Sequence, residues 1–247
     1  MSNQVLYLLM SGATAVMDRM ASTSNNLANA STTAYKAQQP VFQAVPYYSG
    51  GTADRVGVAA REQSANFTAG AIIQTGRQLD VAVNGQGWIG VQGSDGQPAY
   101  TRSGALEIGQ NGVLQTNDGH PVLGQGGSPI SLPPLQSVTI GQDGTISGVL
   151  MGQDNSQTVA FDRIMLANPS SGNLSRRGDG LFGDSGGALQ IDGNVRVQSG
   201  ALEQSNVDSV GMMMNLIEST RMFQMQTGLM HTMGTMGQGA NSPLSLQ

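Results

Sequence analysis

The two ends of this chain match one another. Residues 2–30 and 205–236 both read as amphipathic helices with little charge, and everything between them reads as short strands and Gly-rich turns. The first segment places Val5, Leu9, Ala13, Val16, Met20, Thr23 and Leu27 at spacings of four, four, three, four, three and four. Such spacing keeps one stripe of a helix facing a partner helix, as in a coiled-coil seam. The second segment is apolar around most of its circumference, so one partner cannot cover it. Sticky helical ends around a β-rich middle describe a chain built to polymerise.

The fold class this predicts is α+β. N- and C-terminal α-helices pair as a coiled-coil-like module, and the central all-β domain is rich in hairpins. The expected divisions are an N-terminal helix in 1–33, an extended connector in 34–75, the β domain in 76–200 and a C-terminal helix in 201–247. The connector shows weak periodicity and carries Pro40, Pro46 and Gly57, so it holds at most one β-ribbon. The β domain begins where Leu79 to Val83 alternate in hydropathy, followed by Asn84-Gly85 as a tight turn before Trp88. Asp95-Gly96, Asn111-Gly112, Asp118-Gly119, Asp143-Gly144 and Asp192-Gly193 mark further turns, expected as two-residue hairpin loops. A short echo, Ile108-Gly109-Gln110-Asn111-Gly112 and Ile140-Gly141-Gln142-Asp143-Gly144, predicts one hairpin used twice. The second helix is expected to open at Ser205 with a capping box closed by Asp208, and to stop near Gly234, Gly237 and Gly239.

Charge is scarce, at 11% of residues, and the net charge is −5 with Lys36 the only lysine. No basic stripe exists to neutralise phosphates, which excludes nucleic acid as a partner. Cysteine is absent, so disulfides and thiolate metal sites are excluded. No apolar run has transmembrane length, and Arg19 is the first basic residue, so an ordinary cleaved secretory signal is not expected. The two histidines, His120 and His231, have no ligand-spaced partner, and no phosphate loop or nucleophile elbow is present. No catalytic residue, cofactor or metal is expected.

Methionine carries more information. Eight of the fourteen lie in the second helix. Met212, Leu216, Phe223 and Met230 fall near one face, while Met222, Met225, Leu229, Met233 and Met236 fall on another. A Met-rich core helix is the ordinary explanation, yet two apolar faces need two partners. The first helix is one, and a neighbouring subunit is the second. A lone helical hairpin of this size buries too little to offset the entropy of ordering it, so the free ends are expected to fold on assembly.

Three motifs carry a family resemblance across most of the chain. Asn26-Leu27-Ala28-Asn29 with Thr32-Thr33-Ala34-Tyr35-Lys36 resembles the N-terminal signature of flagellar basal-body rod and hook proteins. The run from Ser199 to Asp208, leading into Met214, Ile217, Arg221 and Phe223, resembles their C-terminal signature. The run from Gly76 to Trp88, with Tyr100-Thr101-Arg102 and His120 to Gly124, resembles their central β domain. The short connector is similar to that of the proximal rod, without the longer basic and Gly-rich continuation of the distal rod. The resemblance implies a non-enzymatic rod subunit, sent out by the flagellar type III export apparatus and assembled helically in the periplasm with copies of itself and other rod proteins. It implies Val5, Leu9, Val16, Met20, Asn26, Leu27, Asn29, Val207, Met214, Ile217, Phe223, Met225 and Leu229 as assembly residues. Frayed helix-end amides are an equal reading of Asn26 and Asn29. A distal-rod protein is the alternative within the family, and a secreted β-rich enzyme or carbohydrate-binding module the alternative outside it. One departure is Ala34, where the family usually has Gly; a left-handed angle there costs alanine about 1 kcal/mol, so the turn is expected to differ.

Overall fold

The stripe that begins at Val5 folds as a helix, α1 (Ser2–Ala28), in the computed structural model, which describes residues 2–49, 52–152, 158–186 and 191–241. Side chains at 2–7, 46–63 and 236–241 lie outside that description, and the side chain of Val5 with them. Every described member of the stripe is turned inward. Ala13, Val16 and Thr23 are buried, and Leu9, Met20 and Leu27 are half-buried. The helix stops just short of Asn29, whose carbonyl accepts from the Thr32 N–H at 3.1 Å while its side-chain oxygen accepts from the Thr32 hydroxyl at 3.1 Å. A local turn thus outcompetes another helical turn, as asparagine chemistry favours.

The connector holds one long two-stranded ribbon of β1 (Gln38–Ser49) and β2 (Thr52–Ala65). Both strands of such a ribbon are edges, so Pro40 and Pro46 are tolerated in β1 although neither can donate to a ladder. The strands β3 (Ile72–Gln74), β4 (Val81–Asn84), β5 (Trp88–Gln92), β6 (Pro98–Thr101), β7 (Leu106–Ile108) and β8 (Leu114–Thr116) follow. Next come β9 (Leu135–Ile140), β10 (Thr145–Leu150), β11 (Val159–Arg163) and β12 (Leu166–Ala167). The last strands are β13 (Leu174–Arg176), β14 (Phe182–Asp184), β15 (Arg196–Ser199) and β16 (Ala201–Glu203), before α2 (Ser209–Asn241). The protein is therefore α+β, with two helices and a β-rich centre. By contact it forms two units, one of residues 1–28, 38–64 and 208–247, the other of 29–37 and 65–207.

In the β-rich unit the largest sheet runs β12-β5-β6-β14-β13, and a second runs β11-β10-β9. Three two-stranded pairs, β15-β4, β16-β3 and β7-β8, complete it. Strands β4 and β5 do not form the expected hairpin across Asn84-Gly85. Instead β4 pairs with β15, which arrives from more than a hundred residues later, because the Val81–Val83 run is buried on both faces and needs a partner that also closes the core. Asp95-Gly96, Asn111-Gly112 and Asp143-Gly144 sit in a longer loop than predicted. At Gly93, Gly109 and Gly141 the N–H of the glycine donates to the carbonyl four residues on, while its own carbonyl accepts from the N–H three residues on. That is a three-residue loop with a type I turn and a glycine in the left-handed region, here Gly96, Gly112 and Gly144 at φ of 77°, 74° and 85°. The echo predicted between residues 108 and 140 is thus one turn geometry used at both places, and again at 93. The core beneath is aliphatic, with Val81, Ile89, Leu106, Leu114, Ile130 and Ile146 all at 0% exposure. Trp88, Tyr100, Met165 and Phe182 form an aromatic-rich second cluster.

Helix α2 starts later and ends later than its sequence signals. Residues 205–207 stay outside the helix because Asn206 is held elsewhere, its N–H donating to the Tyr35 carbonyl at 3.2 Å and its side-chain oxygen accepting from the Ala37 N–H at 2.7 Å. Asp208 then caps alone, accepting from the Val210 N–H at 3.1 Å. The helix continues through Gly234, Gly237 and Gly239, because glycine lowers helix stability by only about 1 kcal/mol while keeping its N–H.

The turn at Ala34 keeps the left-handed angle, at φ 56°, so the expected change of geometry does not occur. The angle is held because the Ala34 N–H donates to the Glu203 carbonyl at 2.8 Å and the residue is buried. Ala34→Gly is expected to raise stability by up to about 1 kcal/mol, relief of strain outweighing the added freedom of the unfolded chain. A β-branched Ala34→Val is expected to lower it. Urea unfolding followed through Trp88, the only tryptophan, measures both.

Candidate assembly interface

Within the first unit α1 and α2 pack antiparallel. Gly12 lies opposite Gln226, where a Cβ on the glycine would stand 3.1 Å from Nε2. At the other end Arg19, Ser22, Thr23 and Asn26 share a cavity of about 410 Å³ with Met212 and Asn215. Small residues let the helices approach here, as Ala13, Val16, Ser22 and Ser219 are buried. Asn26, implied as an interface amide, is 3% exposed and fastened within its own unit. Its Nδ2 donates to the Gln38 carbonyl at 2.8 Å, and its Oδ1 accepts from the Gln38 N–H at 2.7 Å. The side chain thus imitates a strand neighbour and ties the end of α1 to the first residue of β1.

The remaining implied assembly residues divide by exposure. Leu9, Val16, Met20 and Leu27 face inward on α1, and Phe223 is half-buried on α2 with Met212, Leu216 and Met230. Asn29 and Val207 are half-buried in the segments flanking the helices. Met214, Ile217, Met225 and Leu229 are open to solvent at 66%, 56%, 63% and 55%. Val210, also 66% exposed, extends that row to the start of α2. The second methionine face predicted from sequence is only partly of this kind, since Met222 and Met233 are half-buried while Met225 and Leu229 are exposed.

In the β-rich unit lies a cluster whose residues the motifs contained but whose role the sequence did not signal. Lys36 is fully buried, and its Nζ donates to Glu203 Oε1 at 2.6 Å and to the Thr68 carbonyl at 2.8 Å. Arg102 Nη1 reaches Glu203 Oε2 at 3.0 Å, and Nη2 donates to the Gly85 carbonyl at 2.7 Å. The Gly70 N–H also donates to Glu203 Oε1 at 2.9 Å. Burial holds the Lys36 ammonium below the usual lysine range, the hydrogen bond and charge of Glu203 partly opposing it. Arg102 is lowered for the same reason, again against Glu203. Asn206 sits beside the cluster, its Nδ2 donating to the Asn66 and Thr68 carbonyls at 2.8 and 2.9 Å. The one available signal was that Lys36 is the chain's only lysine, placed in a motif.

Such an arrangement fixes chain segments and performs no evident chemistry. Among the described residues no group of His, Cys, Asp or Glu is placed to hold a metal ion, and no helix is long and apolar enough to cross a membrane. His120 lies in a turn after β8, and His231 is exposed on α2. Removing the shared carboxylate leaves two cations buried together, so Glu203→Gln is expected to lower stability by about 3–5 kcal/mol. Lys36→Met is expected to cost less, since Arg102 still neutralises Glu203. The difference between the two urea midpoints, read through Trp88, checks the order.

Residues 82–148 match the family described as flagellar hook protein FlgE/F/G D1 domain. Residues 198–242 match the flagellar basal body rod FlgEFG protein C-terminal family. The flagellar basal-body rod protein FlgF of Salmonella typhimurium is 36% identical over 251 residues, covering 99% of each chain. FlgF of Escherichia coli has the same identity and coverage. The rod protein FlgG of Buchnera aphidicola is 30% identical, over 92% of this chain and 94% of its own. With two terminal helices, a β-rich centre and full-length similarity to these proteins, the chain belongs to the flagellar basal-body rod protein family, as a structural component of the basal body and not an enzyme.

Proposed function

We propose that this chain is a proximal-rod subunit, assembling helically through its terminal helices with copies of itself and with other rod proteins into the torque-transmitting shaft. One observation carries this reading. Val210, Met214, Ile217, Met225 and Leu229 lie along one side of α2 at spacings of four, three, eight and four, each more than half exposed, with exposed Arg221 in the gap of eight. An apolar row of that length on one helix marks a surface meant for another protein. A heterologous contact between identical subunits that does not close generates a helical array. The 36% identity to FlgF of Salmonella typhimurium and Escherichia coli supports the proximal position, while FlgF of Caulobacter vibrioides and FlgG of Buchnera aphidicola both stand at 30%.

On this reading residues 1–33 and 201–247 are the polymerisation module, 34–75 the connector and 76–200 the β domain. Leu9, Val16, Met20, Leu27 and Phe223 hold α1 and α2 together in a coiled-coil-like pair. Asn26, Asn29 and Val207 set the exits of the helices. Met214, Ile217, Met225 and Leu229 meet the neighbouring subunit. Delivery to the periplasm runs through the type III export apparatus, which needs no cleaved signal.

Ile217→Glu and Met225→Glu place charge in the row without touching the β core. They are expected to abolish rod assembly and motility while the urea midpoint read through Trp88 moves by less than about 0.5 kcal/mol. Normal motility in both variants would overturn the proposal. Helix order completed by neighbours also predicts that the helical circular dichroism of the dilute chain rises as copies associate. A strong helical signal independent of concentration would count against that coupling.

A further inference from the structure

Helix α1 contains one glycine, Gly12, and it lies on the side turned to α2. The Gln226 side chain fills the space that a Cβ there would need, with Nε2 3.1 Å and Cδ 3.8 Å from that position. The flanking seam is apolar. Ala13 and Val16 are buried on α1, and Met222, Phe223 and Met230 are half-buried on α2. Gln226 Oε1 is enclosed without a hydrogen-bond donor, the one such side-chain oxygen on either helix among the described residues. An enclosed amide oxygen that accepts nothing destabilises the fold that encloses it. Leucine, of similar size and equal helix propensity, would remove that penalty. Stability alone therefore does not account for the amide.

A polar side chain in an apolar helix seam has another use, which is to fix the alignment of the two helices. The α1 stripe repeats at intervals of three and four residues, so α2 displaced by one turn would meet much the same apolar surface. Helix α1 cannot follow such a slide, because Asn26 fastens its end to both backbone groups of Gln38. Moving α2 by one turn carries the amide from Gly12 to Leu8 and Leu9 in one direction, or to Ala15 and Val16 in the other. Each of these has a side chain where Gly12 has none. The amide then either collides or is pressed against a hydrocarbon wall that offers it no hydrogen bond.

We propose that Gln226 and Gly12 form a register lock, which holds α1 and α2 in one axial alignment while lowering the stability of the pair. The alignment decides where the exposed side of α2 from Val210 to Leu229 stands along α1, since a slide of one turn moves it by about 5 Å. A helical array repeats one contact many times, so every copy must present that side at the same height. This consequence for assembly rests on the rod reading, whereas the lock itself does not.

The chain has no cysteine, so spin labels can be placed at chosen sites without removing any. Ser24 on α1 and Gln224 on α2 are exposed, and Ser24→Cys with Gln224→Cys provides the two positions in the full-length chain. Labelled chain is diluted into unlabelled chain at a concentration where the helical circular dichroism has levelled off, so that only pairs within one molecule report. Double electron–electron resonance then reads the distance between the helices. One narrow distance is expected with Gln226 in place. Gln226→Leu is expected to raise the thermal midpoint of the helical signal, while it broadens the distance distribution or shifts the helices by about 5 Å. An unchanged narrow distance in Gln226→Leu, or a midpoint that does not rise, would overturn the lock. Reduced motility of cells carrying Gln226→Leu supports the consequence for assembly, and normal motility with an altered distance would overturn that consequence alone. Failure of the rod reading shows separately, in normal motility of Ile217→Glu and Met225→Glu.

Discussion

One buried carboxylate organises the centre of this protein. Glu203 on β16 accepts from Lys36, Arg102 and the Gly70 N–H, residues drawn from three stretches far apart in sequence. Each charge alone would be expensive in an apolar interior, and the group is tolerated because every member has a partner of good geometry. That requirement makes the cluster a register device. If the segment after α1 or the loop after β6 were displaced by one residue, a charge would be buried without its counterpart. The strained turn at Ala34 is held in the same way, since its N–H donates to the backbone carbonyl of Glu203 itself.

Neutral amides carry out the same task where no charge is available. Asn26 satisfies both backbone groups of Gln38, and Asn206 satisfies the Ala37 N–H together with the carbonyls of Asn66 and Thr68. An asparagine has a donor and an acceptor at strand-like separation, so it can close a ladder where two segments meet without a second strand. This explains how a chain with so little charge fixes its helix ends. It also separates two kinds of polar residue in the signature motifs. Those at the ends of α1 and before α2 are spent within the molecule, whereas Met214, Ile217, Met225 and Leu229 on α2 stay exposed.

The division between inward and outward side chains follows helix geometry. The α1 stripe at three- and four-residue spacing lies inward wherever its side chains are described, opposite small residues that allow close approach. Helix α2 has the same inward face, with Met212, Leu216, Phe223 and Met230, and its surplus apolar residues have nowhere inside to go. In a solitary globular protein such a surplus is a liability for aggregation. In a structural component of the basal body it is a consistent feature, and membership of the rod family removes the β-rich enzyme as an alternative.

Local chemistry in the sequence determined a good deal. Spacing gave both helices and the inward stripe of α1, turn dipeptides marked the loops, and the low charge and lack of ligand-spaced residues pointed away from catalysis. Its motifs also gave the family. Only the tertiary structure decided that Val81–Val83 pairs with β15 and not with β5, that Asn206 delays α2, and that Ala34 keeps its left-handed angle. The same holds for the meeting of Lys36, Arg102 and Glu203. Each of these depends on a partner 101 or more positions away. Periodicity and propensity report a residue's relation to its neighbours within a few positions. Which distant charge or carbonyl it will meet is fixed by burial of the whole core, and no local pattern records that.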